Sequence, residues 1–195
     1  MRKALKDINS KIITDGLKYI PKNSNNNRKI AEVLLKEQKD FCAYTDEYIS
    51  RTDAKDIEHF DPTLKDTVAD NYSNWFVVKH QWNKEKSYKW PDFQPVLHPT
   101  ARDLEERIIY SDGDYFAKSA ADTEASNLVS LLKLDDPGLA AKRKNYIKRK
   151  RDDMKAYGQD VATFFTTLIN DDNCQVSYLR AIKEEFGFDM WPILE

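Results

Sequence analysis

Apolar positions keep a helical period in the second half of the chain and lose it in part of the first. Leu128, Leu131 and Leu132 share one face of Thr123–Leu134, and Val161, Phe164, Phe165, Leu168 and Ile169 repeat at i, i+3, i+4, i+7 and i+8. Tyr178, Leu179, Ile182 and Phe186 predict a last helix. Asp136-Pro137 puts a proline where a first helical turn accepts it, and Gly158 can end the helix that runs from there through Tyr157. Near the N-terminus, Ile30, Val33 and Leu34 predict a helix over Arg28–Asp40, after a polar loop from Asn23 to Asn27. From Phe41 to Ile57 no helical period survives, which suggests short strands or loops. Trp75–Val78 is a short buried run, and Gln81–Lys89 is a short helix that Pro91 stops. Asp112-Gly113-Asp114 is a hairpin or turn signal between Ile108-Ile109-Tyr110 and Tyr115-Phe116. The pattern predicts an α+β fold that is mainly α.

With 195 residues, 41% hydrophobic and 12% aromatic, the chain can bury a real core, which excludes wholesale disorder. No apolar run reaches the roughly 18 residues of a membrane span, and the first residues, MRKALKDINSKII, lack a signal peptide's apolar stretch. The expectation is a soluble, cytoplasmic protein without a membrane partner. Cys42 and Cys174 form no pattern, which excludes a disulfide scaffold and a four-cysteine zinc site.

The formal net charge of -2 hides an uneven distribution. Residues 1–39 hold ten Lys/Arg and four Asp/Glu; residues 40–74 hold nine acidic and three basic side chains. Trp75–Trp90 carries four lysines and one glutamate, and Lys142–Lys155 carries eight basic residues with Asp152 and Asp153. An acidic island between basic blocks is what a cation site flanked by phosphate-binding surfaces would produce, and ordinary solvated helix faces produce it too.

Chemistry points to the same island. Of three histidines, His98 precedes Pro99 and reads as an ordinary loop residue. His59 lies in Ile57-Glu58-His59-Phe60-Asp61-Pro62, where a carboxylate beside an imidazole can pair a hard metal ligand with a general base. Downstream, Asn71-Tyr72-Ser73-Asn74-Trp75 leads to His80-Gln81-Trp82-Asn83-Lys84-Glu85-Lys86-Ser87. An amide oxygen there can complete a Mg²⁺ shell while the lysines meet phosphate.

Together and in this order, these segments and Phe41-Cys42-Ala43-Tyr44 resemble the HNH endonuclease family, whose core is a ββα-metal fold. Looser similarity through residues 107–149 resembles the HNH subunit of Septu-type antiphage systems, which acts beside an ATPase. The resemblance implies a basic N-terminal helical region (1–40), a ββα-metal nuclease core (41–91) and a mainly helical C-terminal region that docks a partner (92–195). It implies DNA and an ATPase subunit as partners in a homo- or hetero-oligomer, with Mg²⁺ or Mn²⁺ as cofactor. No P-loop pattern is present, so ATP use must come from elsewhere. His59 matches the general base and Asn74 the asparagine that braces the loop between the strands; Glu58 and Asn83 match the metal ligands. His80 matches a histidine of less defined role, and Asp61 could hold a water of the ion or cap a turn. Lys84, Lys86, Lys89, Arg143, Lys144, Lys148 and Arg149 are candidates for phosphate contacts that position DNA without reading its sequence. Trp75, Trp82 and Trp90 are expected to pack rather than stack on bases.

Two departures accompany the resemblance. Many relatives carry a zinc knuckle of two CxxC pairs, and here those positions hold Cys42, Thr45, Lys79 and Trp82. One thiolate cannot make a structural zinc site, so the expectation is no zinc, with packing around Tyr44, Phe76 and Trp82 in its place. Moreover, neighbours on a regular strand point to opposite faces, so Glu58 and His59 can serve one phosphate only if the strand ends, bends or bulges there. The alternative to a nuclease is a non-enzymatic DNA- or protein-binding module on a decayed HNH fold.

Overall fold

Helix α1 (Lys11–Thr14) and the longer α2 (Ser24–Glu37) open the chain in a computed structural model that describes residues 1–172 and 175–194. Cys174 lies outside the described residues. The run expected as a loop from Asn23 is instead the start of α2. Asn23 caps it by accepting from the Asn26 amide at 3.1 Å, and the Asn26 and Asn27 side chains donate to the Lys18 and Ile20 carbonyls, each at 2.7 Å. These asparagines hold the helix start and the segment before it, which is the same hydrogen-bonding appetite that composes a loop. At the other end, Lys39 and Asp40 take positive φ and stop the helix short of the expected Asp40.

Strands β1 (Lys55–His59) and β2 (Trp75–Lys79) pair antiparallel, with Ile57 opposite Val77 and His59 opposite Trp75. Trp75, Phe76, Val77 and Val78 are all buried, so β2 is covered on both faces. Its outer edge is closed by a side chain: Gln38 accepts from the Val77 amide and donates to the Val77 carbonyl, each at 2.8 Å. Helix α3 (His80–Lys86) follows β2 without a loop and packs on both strands. It ends well before Pro91; Ser87–Phe93 continues as 3-10 helix with the proline inside it.

Then come α4 (Leu104–Arg107) and the hairpin of β3 (Ile108–Ser111) and β4 (Asp114–Ala117). Its tip, Asp112 and Gly113, has φ of 49° and 92°, as a two-residue turn requires. A Cβ on Gly113 would lie 2.5 Å from the Ala140 carbonyl oxygen, so glycine also permits the close approach of the next long helix. After α5 (Thr123–Leu131), that helix is α6 (Pro137–Tyr157), capped by Asp136 and ended by Gly158 at φ 62°. Helices α7 (Val161–Asp171) and α8 (Leu179–Phe186) follow the predicted stripes. The result is α+β, about 49% helical with two small antiparallel sheets. One connected buried core draws on residues 1–40, 41–91 and 92–195 alike. Among the described residues, no helix is long and apolar enough to cross a membrane.

Candidate functional site

His59 ends β1 and is 6% exposed. Its ring meets Trp75, its cross-strand partner, and lies edge-on to Tyr19 at 4.5 Å between centroids. Nε2 is 3.1 Å from Asp70 Oδ2 but outside hydrogen-bonding alignment, a near contact of opposite character rather than a formed bond. Asp70 is itself fixed, because its Oδ1 accepts from Asn74 Nδ2 at 3.0 Å and Trp75 Nε1 at 2.7 Å. Burial pushes the His59 pKa below its ordinary 6.5, against the opposing pull of Asp70, and so favours the neutral imidazole. Asn74 ties the loop between the strands together, accepting from the Asp61 amide at 2.7 Å and donating to the Asp61 carbonyl at 3.0 Å. The Asp61 carboxylate caps the turn that follows by accepting from Thr63.

Glu58 faces the other way. It pairs across the sheet with Phe76, accepts from the Tyr44 hydroxyl at 3.2 Å and forms an ion pair with Lys86. Lys86 also donates to the carbonyls of His59 at 2.7 Å and Phe60 at 2.6 Å, so its ammonium fills the place a cation would take beside Glu58. Strand alternation persists through Phe60, whose ring meets Phe76 at 6.4 Å. The bend that would bring Glu58 and His59 to one phosphate is absent. Glu58 has Lys86 and Tyr44 as its partners rather than Asn83. Lys86, expected at phosphate, is buried instead, and desolvation lowers its pKa while raising that of Glu58.

Asn83 meets a different carboxylate. Asp56 Oδ2 accepts from Asn83 Nδ2 at 2.9 Å and lies 2.8 Å from His80 Nδ1. The two helix residues share a face of α3 and lean on the strand position two before Glu58. Beside them, along the edge of β1 that β2 leaves free, runs a groove of about 370 Å³ lined by Tyr19, Arg28, Lys55, Asp56, Lys65 and Asn83 among others. The Lys86 ammonium stands at Glu58, whereas the ligand atoms of Asp56, His80 and Asn83 lie together. No protein-family profile and no curated protein matches the chain.

The other expected residues divide by exposure. Lys84, Lys89, Lys144, Lys148 and Arg149 are exposed, Lys89 within 3.9 Å of Glu85 and Lys144 paired with Asp112. Arg143 is fully buried: it donates to the carbonyls of Gly113 at 2.7 Å and Leu134 at 2.9 Å under the Tyr115 ring, which withdraws it from phosphate binding. Trp75 and Trp90 are buried and Trp82 half-buried. The four knuckle positions gather around a residue that sequence reasoning passed over. Glu47 accepts from Thr45 Oγ1 at 3.0 Å and Trp82 Nε1 at 3.4 Å, lies 4.0 Å from Lys79 Nζ and accepts from the Tyr178 hydroxyl at 3.2 Å. The buried Cys42 thiol, its pKa raised by desolvation, adjoins Thr45 and Lys79. The support expected from packing alone is thus partly polar. Asp70 and Tyr19 carried no motif. Asp56 did carry a signal, since it shares the face of Glu58 by strand parity.

Proposed function

We propose that the chain is an HNH-type endonuclease that hydrolyses DNA phosphodiester bonds, with Mg²⁺ or Mn²⁺ as cofactor. The observation that supports this most is the arrangement around His59: it ends the first of two antiparallel strands that run directly into a helix, with Asp70 held against its ring and Asn74 tying the connecting loop. Neutral His59 takes a proton from the attacking water, and Asp70 stabilises the imidazolium that results. Their misaligned 3.1 Å contact tightens as the ring gains its proton. Arg28, Lys55 and Lys65 in the groove bind the nucleic-acid backbone. The metal ion supplies charge stabilisation when bound. In a defence complex, the helical region 92–195 docks the ATPase.

Supercoiled plasmid incubated with Mg²⁺ or Mn²⁺ tests the reading. Chelator-sensitive nicking that falls about 10²–10⁴-fold in His59→Ala is expected, the range for loss of a general base. Equal nicking by both proteins sinks the assignment of His59. A second reading has its own observation, the Glu58–Lys86 ion pair that occupies an expected metal ligand. DNA binding without cleavage, alone and with an ATPase partner present, would favour that non-enzymatic module.

A further inference from the structure

Two short segments meet at a point the HNH resemblance does not use as a unit. Asp56 belongs to β1, held in register opposite Val78. His80 opens α3, and its amide donates to the Ala54 carbonyl at 2.9 Å, which sets the start of the helix against the start of the strand. Asn83, three residues on, returns to the same face. Asp56 Oδ2 then has His80 Nδ1 at 2.8 Å and Asn83 Nδ2 at 2.9 Å. A half-turn of the Asn83 amide exchanges its nitrogen for its oxygen with no movement of the chain. Neighbouring ligand atoms on an octahedral ion with bonds near 2.1 Å are about 3.0 Å apart. Asp56 Oδ2 already keeps close to that spacing from both His80 Nδ1 and Asn83 Nδ2.

We propose that Asp56, His80 and Asn83 form a divalent-cation site, and that Glu58 is not a ligand. The donor set is one carboxylate oxygen, one imidazole nitrogen and one amide oxygen. Imidazole favours first-row transition ions and oxygen donors favour Mg²⁺ or Mn²⁺, so Mn²⁺ satisfies both where Mg²⁺ satisfies one. Glu58 is excluded because the Lys86 ammonium neutralises it and repels a second cation. Asp56 remains about a third exposed at its side chain and His80 more than half, so water and a ligand can reach the remaining coordination positions. One such ligand is a phosphate in the adjoining groove, where Arg28, Lys55 and Lys65 would meet its other oxygens. That use of the ion rests on the proposed function; the binding of the ion does not.

The full chain has three histidines, so their ring C–H signals can be followed by NMR during a Mn²⁺ titration. His80 signals should broaden first, at less than one equivalent, and His98 signals last. Electron paramagnetic resonance should count about one bound Mn²⁺ per chain, displaced by Mg²⁺ only at large excess. Asp56→Asn and His80→Ala should each weaken Mn²⁺ binding about tenfold or more, since even outer partners of a metal cost 10–100-fold. Glu58→Gln should leave it unchanged. Absence of saturable binding to the wild-type chain would overturn the site, and that measurement depends on no variant folding. So would binding lost in Glu58→Gln and kept in Asp56→Asn. Mn²⁺ at His80 without plasmid cleavage, alone and with an ATPase partner present, would overturn the nuclease and leave the site standing. Metal-dependent cleavage with the ion at Glu58 would do the reverse.

Discussion

His59 carries a pH dependence with a defined sign. Burial lowers its pKa from 6.5, so the neutral base persists to lower pH than an exposed histidine would allow. The acidic limb of the cleavage profile should lie below pH 6.5 in the wild type. Asp70 acts against the shift, so Asp70→Asn should move the limb lower still and reduce the plateau, because the imidazolium loses its counter-charge. A limb that moves upward in Asp70→Asn refutes the pairing. Lys86 and Glu58 give a second test at this scale. Lys86→Met strands a buried carboxylate and should cost about 3–5 kcal/mol in urea unfolding, while Glu58→Gln with Lys86→Met should recover most of it. His59, Asn74 and Asn83 were legible as candidates because their order and spacing make a motif. The alternation that separates Glu58 from His59 was legible as a rule, but whether the strand broke it was not. Asp70 had no signal, since only the folded loop brings it back to β1.

Between elements, the decisive contact is the segment between α1 and α2 lying over β1. Tyr19 sits edge-on to His59, while Lys65 approaches the Tyr19 ring at 5.6 Å. His59 is 6% exposed with the Tyr19 ring against it, so in the proposed reaction this cover has to move, a motion of the loop kind that does not require unfolding. Tyr19→Ala should therefore speed modification of His59 by diethyl pyrocarbonate, followed by peptide mapping, while the rate at His80 stays the same. An unchanged rate at His59 would mean that Tyr19 does not cover it. The helices of the C-terminal half were readable from periodicity, since a 3.6-residue stripe buried on one side has few other solutions. The start of α2 was not, because a capping asparagine and a loop asparagine are the same residue with the same appetite. Pro91 was a false stop: α3 ends earlier and the chain tightens through the proline instead.

Across the whole molecule, charge had to be sorted by burial before it meant anything. Lys148 and Arg149 are exposed on α6, whereas Arg143 of the same helix joins the β3–β4 hairpin to its surroundings through two carbonyls. Arg143→Ala should cost more than about 2 kcal/mol of stability, as the loss of charge-assisted hydrogen bonds implies. Lys148→Ala with Arg149→Ala should leave the melting temperature in place and lower the salt dependence of DNA binding by about two counterions. Equal salt slopes in wild type and double variant would remove α6 from the DNA interface. Clusters of basic letters could not reveal that division, because a long helix alternates inside and outside within one turn. The cluster around Glu47 has a consequence of another kind. A knuckle held by zinc makes a protein's shape hostage to the metal supply of its cell. Here Glu47 joins three of the corresponding positions to Tyr178 beside α8, and hydrogen bonds and ion pairs of that kind do not answer to a chelator. EDTA should silence the proposed chemistry while far-ultraviolet circular dichroism stays unchanged. Under the proposed function, chelation and refilling then become a reversible handle on the chemistry with the fold left in place.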